Sequence, residues 1–535
     1  MSGERVHLYD TTLRDGAQTQ GVDFSAEDKR AIAEALDRLG IDYVEGGWPG
    51  ANPTDDRFFA APPAFRHARL ATFGMTRRAG RSASNDPGLA AMLAAGAPVA
   101  TLVGKTWDFH VTVALGAGLV ENLAMIAESV AHAATRAEVV FDAEHFFDGY
   151  KANAGYALDC LEAAHAAGAR WLVLCDTNGG TLPHEVEEMV RAAASRVPAG
   201  HLGIHCHDDT GNAVANSLAA VRAGARMIQG TLNGLGERCG NANLITLIPT
   251  LALKMGWEIG VDAAGLRALP AISRLLDERL NRAPSRQAPY VGESAFAHKG
   301  GLHASAVEKD PRAYEHLDPA LVGNQRLIVV SDQAGRANMI ARFRLLGIEV
   351  APNDPRLGRL IETVKARESE GYAFDGAEAS FELLARRAFG QVGEYFSIRR
   401  FRVMDERRFN ARGEPVTESE ATVTLAIGEA MHHEVAIGNG PVNALDTALR
   451  KALDTLYPIL AEVRLVDFKV RILTLSGGTD ALTRVLIESA DRQGRRWSTV
   501  GVSPNIIDAS LDALSDSIAW KLMKEGVPVP AAASA

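Results

Sequence analysis

The sequence predicts an α/β protein with an N-terminal (β/α)8 barrel, a helical connector and a C-terminal α+β domain carrying a pseudo-twofold repeat. Three observations predict this. About eight short apolar runs alternate with longer helical stretches between residues 5 and about 235. Charged and polar residues gather just after those runs, at the strand ends where a barrel keeps its active site. From Glu394 onward the order strand, Gly-x-x-Pro, helix occurs twice.

The apolar runs are Val6–Tyr9, Tyr43–Gly46, Leu70–Phe73, Val99–Val103, Val139–Phe141, Trp171–Leu174, Leu202–Ile204 and Met227–Gly230. Amphipathic stretches such as Ala26–Leu39 and Leu119–Arg136 separate them. An open doubly wound sheet would place a glycine-rich turn after the first strand, whereas Thr11-Thr12-Leu13-Arg14-Asp15 stands there. The barrel domain is expected over residues 1–268 and connecting subdomains over 269–390. The connector is loop-rich from about Pro270 to Val350, and helical from about 356 to 390. Its segment Phe296–His303 is placed to reach a neighbouring active site. In the domain 391–530, Val435–Gly438 leads through Pro441 to a helix Asn443–Leu456, and Ser498–Gly501 leads through Pro504 to a helix Ile507–Met523. Each proline is expected near the first helical turn, where its missing N–H costs nothing. Residues 531–535 read as a disordered tail.

Composition narrows the function classes. A chain of 535 residues with 47% hydrophobic and 23% charged residues has the profile of a globular enzyme of two or three domains. A net charge of −10 argues against nucleic acid as a partner. No apolar run is suited to a membrane span, and the start Met1-Ser2-Gly3-Glu4-Arg5 lacks a signal-peptide core, so the expected location is the cytoplasm. Cys160, Cys175, Cys206 and Cys239 show neither CxxC spacing nor disulfide density. An anionic substrate would have to be met by single residues such as Arg14, Lys105 or Lys299.

His205 and His207 carry the sharpest chemical signal. Residues two apart on a strand face the same side, so the pair aims two imidazoles at one point and leaves Cys206 to pack the other way. Asp15 is the outstanding further ligand, the alternative being a helix cap. Arg14 beside it can grip a carboxylate or an oxyanion, a donor worth roughly 3 kcal/mol in a transition state. Glu144 is either a general acid or base or a solvated strand end. Thr177 either shapes a turn or donates its hydroxyl to a bound carboxylate. The stretch Asn233–Asn243 resembles a phosphate-cradling glycine loop only loosely, and its Asn241 can offer an oxygen ligand. His298 and His303 are either loop residues or late-delivered catalytic groups.

Three motifs together, Asp10-Thr11-Thr12-Leu13-Arg14-Asp15-Gly16, His205-Cys206-His207-Asp208-Asp209 and Gly236-Glu237-Arg238-Cys239-Gly240-Asn241, resemble the acyl-CoA condensing branch of the DRE-type metal-dependent TIM barrels. That branch includes isopropylmalate, homocitrate and citramalate synthases. Within it, Glu45–Pro53 and Phe141–Gly149 are similar to the long citramalate synthases, and the C-terminal part is similar to the branch's allosteric domain. The resemblance implies a Claisen condensation of acetyl-CoA with pyruvate, followed by thioester hydrolysis. It implies a divalent metal (zinc, manganese or magnesium) on Asp15, His205, His207 and Asn241, with Arg14 on the oxyanion and Thr177 on the pyruvate carboxylate. Proton transfers fall to Glu144, His303 and Tyr314, the last two supplied within a homodimer, and isoleucine is implied as the feedback ligand. Asp142 stands where some short citramalate synthases carry a pocket tyrosine, and Trp48 is expected to shorten the oxoacid pocket. The alternatives are a longer 2-oxoacid as substrate, a lyase of the same barrel group, or a non-catalytic amino-acid sensor.

Overall fold

In the computed structural model, eight parallel strands close into a barrel: β1 (His7–Asp10), β2 (Tyr43–Gly47), β3 (Arg69–Met75), β4 (Val99–Lys105), β5 (Glu138–Glu144), β6 (Trp171–Asp176), β7 (Leu202–Cys206) and β8 (Met227–Gly230). The structure describes residues 5–298, 303, 306–307, 309–328, 336–351, 354–409, 411–473 and 481–530. Lys299 and the expected tail 531–535 lie outside them. Two compact units are formed, Met1–Phe296 with His316–Leu327, and Ala297–Glu315 with Ile328–Ala535.

The barrel follows from strand periodicity, because alternate side chains point to opposite faces. Val6, Leu8, Val44, Leu70, Leu172, Leu174, Ile204, Cys206 and Ile228 face outward into the layer between strands and helices. Tyr9, Tyr43, Val99, Val140, Trp171, Val173, Cys175 and Met227 fill the lumen. Tyr9 stacks on Tyr43 at 5.6 Å, and Trp171 Nε1 donates to the Tyr43 hydroxyl at 3.2 Å, so the lumen is a packed core rather than a pore.

The first helix, Ala26–Leu39, shows how local sequence sets the elements. Ser25 and Asp28 form a reciprocal capping box at its start. Gly40 ends it at φ 97°, donating its N–H back to Leu36 and Asp37. Between them Ile32, Leu36 and Leu39 repeat at helical spacing and are buried against the barrel. The Asp37 carboxylate then accepts the backbone N–H groups of Arg66, His67 and Ala68 at 2.7–3.1 Å, tying the helix to the start of β3.

The start of the loop-rich stretch is corrected. The helix Ala263–Arg279 runs through Pro270, so that stretch begins after Arg279 rather than at about Pro270. A proline within a helix costs about 3 kcal/mol. Burial of Leu266, Leu269, Ile272 and Leu276 in the barrel's outer core offsets that cost. In the second unit, Pro441 does occupy the first turn of the helix Pro441–Leu453. Pro504 stands just ahead of its helix, as expected: Asn505 caps the helix Ile506–Lys524 by accepting from Ile507 N.

The expected repeat appears as two antiparallel three-stranded sheets, each followed by its helix. Strands Ser397–Phe409, Pro415–Ile427 and Ala430–Gly438 precede Pro441–Leu453, and strands Arg464–Ile472, Thr483–Ala490 and Arg496–Ser503 precede Ile506–Lys524. Leu445, Leu449, Leu453, Ile487, Leu514 and Ile518 form their shared core, in which Trp497 stacks on Trp520 at 5.1 Å. No helix among the described residues is long and apolar enough to cross a membrane.

Asp37 yields a stability prediction. Burial alone would raise its pKa, but the three backbone donors outweigh burial and hold it below the usual carboxylate range. Its contribution is therefore fully present above the unfolded value of about 3.9 and is lost as pH falls through the lower folded value. Asp37→Ala should destabilise the first unit by about 1–3 kcal/mol at pH 7, and by less at pH 3, in thermal unfolding followed by circular dichroism.

Candidate metal centre

Strand parity builds the site as it builds the lumen. Continuing the inward positions toward the carboxyl ends takes Val140 to Asp142 and Glu144, Val173 and Cys175 to Thr177, and Met227 to Gln229. On β7 the same step takes Gly203 to His205, and His207 follows. Asp15 arrives from the loop after β1. Asp10 shapes that loop by accepting from Thr12 N at 2.9 Å and Thr12 Oγ1 at 2.8 Å, and Thr12 Oγ1 accepts in turn from Leu232 N after β8.

The buried Asp15, His205 and His207 each bring one ligand atom within 4.8 Å of the others. His205 Nε2 lies 3.2 Å from Asp15 Oδ2. Burial would raise the Asp15 pKa, but Arg14 and the two imidazoles hold it well below the carboxylate range. Burial and the neighbouring His205 push His207 down to about 4, leaving a neutral imidazole with a lone pair to offer. Asp15 makes no cap bond to the turn Gly16–Gln18, which removes the capping alternative.

Asn241 completes the cluster. Its Nδ2 lies 2.8 Å from Asp15 Oδ2 and 3.1 Å from His205 Nε2, while its buried Oδ1 has no partner among the described residues. Turning the amide over presents that oxygen to the other ligands. Gly236 lies so close that a Cβ there would sit 1.7 Å from Asn241 Oδ1, so only glycine fits. The loop is not an anion cradle. Its glycine N–H groups are spent internally, Gly234 on Thr231, Gly236 on Thr19 and Gly240 on Glu237. A carboxylate, two imidazoles, an orphaned amide oxygen and the orphaned His207 Nδ1 form a donor set that suits a divalent cation.

Around the cluster, Arg14 is clamped on three sides. Its Nε donates to Glu45 Oε1 at 2.5 Å, its Nη1 lies 3.3 Å from Asp15, and its guanidinium lies over the Phe73 ring at 3.9 Å. Glu45, wholly buried, also accepts from the Tyr9 hydroxyl at 2.8 Å. Trp48 meets the edge of the same Phe73 ring at 5.4 Å. Glu144 forms an ion pair with Lys105. Thr177 Oγ1 accepts from His145 N at 2.9 Å, so its own proton is available to another group. Asp142 is buried; desolvation and the charge of Glu45 push its carboxyl up to about 7.

Residues 5–272 match the HMGL-like family model, 290–371 the homocitrate synthase post-HMGL domain-like model and 375–522 the LeuA allosteric (dimerisation) domain model. Among curated proteins, the (R)-citramalate synthase of Aquifex aeolicus is 53% identical over 98% of both chains. That of Geobacter sulfurreducens is 51% identical over 97% of this chain and 98% of its own, and that of Synechocystis 49% over 96% of each. The chain belongs to the HMGL-like family, in its isopropylmalate, homocitrate and citramalate synthase branch.

Within this family chain, two site residues escaped the sequence reading. Glu45 and Gln229 are each buried, and each is a lone polar residue inside an apolar strand. Their signal is parity: both sit at inward positions on the carboxyl side of an inward apolar residue. His303 and Tyr314 belong to the second unit, where their rings stack at 4.1 Å. His298, in the same unit, lies 3.2 Å from Glu315 through Nε2.

After chelation, Mn2+ titrated into the protein should fill a single site, read by calorimetry or paramagnetic resonance. His207→Ala should weaken that binding by more than the roughly 10- to 100-fold typical of an outer-shell partner.

Proposed function

We propose that the chain is an (R)-citramalate synthase. The observation that carries this reading is near full-length identity of about half to relatives of that name, over a chain that retains the Asp15, His205 and His207 cluster. Acetyl-CoA loses a methyl proton, its enolate carbon bonds to the keto carbon of pyruvate, and the keto oxygen gains a proton. Water then cleaves the thioester, releasing citramalate and CoA.

Asp15, His205, His207 and Asn241 are assigned as metal ligands. A divalent ion there, zinc, manganese or magnesium, supplies Lewis-acid polarisation of the keto group and a template for the oxoacid. Arg14 stabilises the developing oxyanion, and its clamp by Glu45 and Phe73 means that no reorganisation is needed as charge develops. Thr177, its oxygen already occupied by His145 N, donates its proton to the pyruvate carboxylate. Glu144 takes part in proton transfer, with His303 and Tyr314 assigned to the remaining transfers as groups delivered within a homodimer. Trp48, braced by Phe73, shortens the oxoacid pocket. Isoleucine is the proposed feedback ligand, a reading supported by the match of residues 375–522 to an allosteric domain.

With acetyl-CoA and a thiol reagent, pyruvate should turn over faster than 2-oxobutyrate, 2-oxoisovalerate or 2-oxoglutarate. Activity should vanish on chelation and return with a defined metal. A preference for 2-oxoisovalerate or 2-oxoglutarate would make the protein an isopropylmalate or homocitrate synthase instead. In the same assay, isoleucine should inhibit at concentrations where leucine does not, and equal response to both would remove isoleucine as the effector.

A further inference from the structure

We propose that Gln229 and Asp142 are positioning residues that decide which nitrogen of His205 carries its proton, and so present Nε2 to the metal site. The inference rests on the metal reading of Asp15, His205 and His207. Gln229 on β8 pairs directly with His205 on β7, and inward parity brings both side chains into the lumen. Gln229 Oε1 lies 2.8 Å from His205 Nδ1, and Gln229 Nε2 donates to Asp142 Oδ1 at 2.8 Å. All three residues are buried, so each polar contact is made in the absence of competing water.

The order of donors follows from what each group can do. When the Asp142 carboxyl is ionised it only accepts, so the amide must then turn its NH2 group toward it. Its oxygen then faces His205, and an amide oxygen only accepts, so Nδ1 must carry the proton. In the neutral ring the lone pair is left on Nε2, the nitrogen 3.2 Å from Asp15 Oδ2 and 3.1 Å from Asn241 Nδ2. Without Asp142 the amide is free to turn over and donate to Nδ1, which moves the proton to Nε2 and blocks that ligand. His207 has no such lock, since its Nδ1 is without a partner among the described residues. Asp142 therefore acts on the metal site through two side chains, rather than as a wall touching the oxoacid.

The test uses the full chain, selectively 15N-labelled at histidine, stripped of metal and held above the value of about 7 to which Asp142 is pushed. Long-range proton–nitrogen spectra should show a proton on His205 Nδ1; an Nδ1 that carries none overturns the proposal without need of any variant. Asp142→Leu and Gln229→Met should each move His205 toward the Nε2–H form and weaken Mn2+ binding by about 10- to 100-fold. Asp142→Leu should add nothing in the Gln229→Met background, because the two act in series. A parent chain that binds Mn2+ while Asp142→Leu and Gln229→Met bind it equally well overturns the relay alone. A parent chain that binds no Mn2+ overturns the metal reading and the relay with it.

Discussion

Buried charge at the barrel mouth does not balance among the described residues. Asp15, Glu45 and Asp142 are withdrawn from water, and Arg14 is the cation in direct contact with two of those carboxylates. Withdrawing a carboxylate from water costs several kcal/mol even after relaxation, so such a deficit must be met by a proton or by another cation. Both answers are visible in the groups themselves. Asp142 is pushed up to about 7 by burial and by Glu45, and His205 is held above its ordinary value by Asp15 in spite of its burial. A divalent ion among Asp15, His205 and His207 would supply the same missing charge in one place. The chemistry proposed for the chain, in which negative charge grows on a keto oxygen, needs it there.

The barrel makes such a concentration of charge affordable by fixing every member on a strand end or on a loop tied to one. Inward parity delivers Asp142 and Glu144 from β5, His205 from β7 and Gln229 from β8 with no loop to order. The Asp15 loop is held by Asp10, Thr12 and Leu232, and the Asn241 loop returns to β7 through Ala242 N to Cys206 O at 2.9 Å. Arg14 sits between two carboxylates and an aromatic ring, so its orientation is set before any substrate binds.

How much of this was legible in the sequence depended on how local each signal is. His205 and His207 declare themselves because period two is a property of a single strand. Arg14 and Asp15 stand out as a burst of charge after an apolar run. The eight strands and the C-terminal repeat were legible for the same reason, as patterns complete within a short window. Gln229 was not, because in Met227-Ile228-Gln229-Gly230 it reads as one polar residue in a short strand. Its meaning depends on pairing with His205 and on Asp142 reaching it from β5. Glu45 was hidden in the same way. The helix around Pro270 is hidden because its burial outweighs the local preference of proline.

The most direct measurement is anomalous diffraction at the manganese edge from crystals of the full chain soaked with Mn2+ and pyruvate. The account predicts a strong peak bounded by Asp15, His205 Nε2 and His207, with the keto and carboxylate oxygens of pyruvate beside it and Arg14 facing the keto oxygen. A peak elsewhere, or pyruvate bound away from these ligands with none of them on the metal, would contradict it.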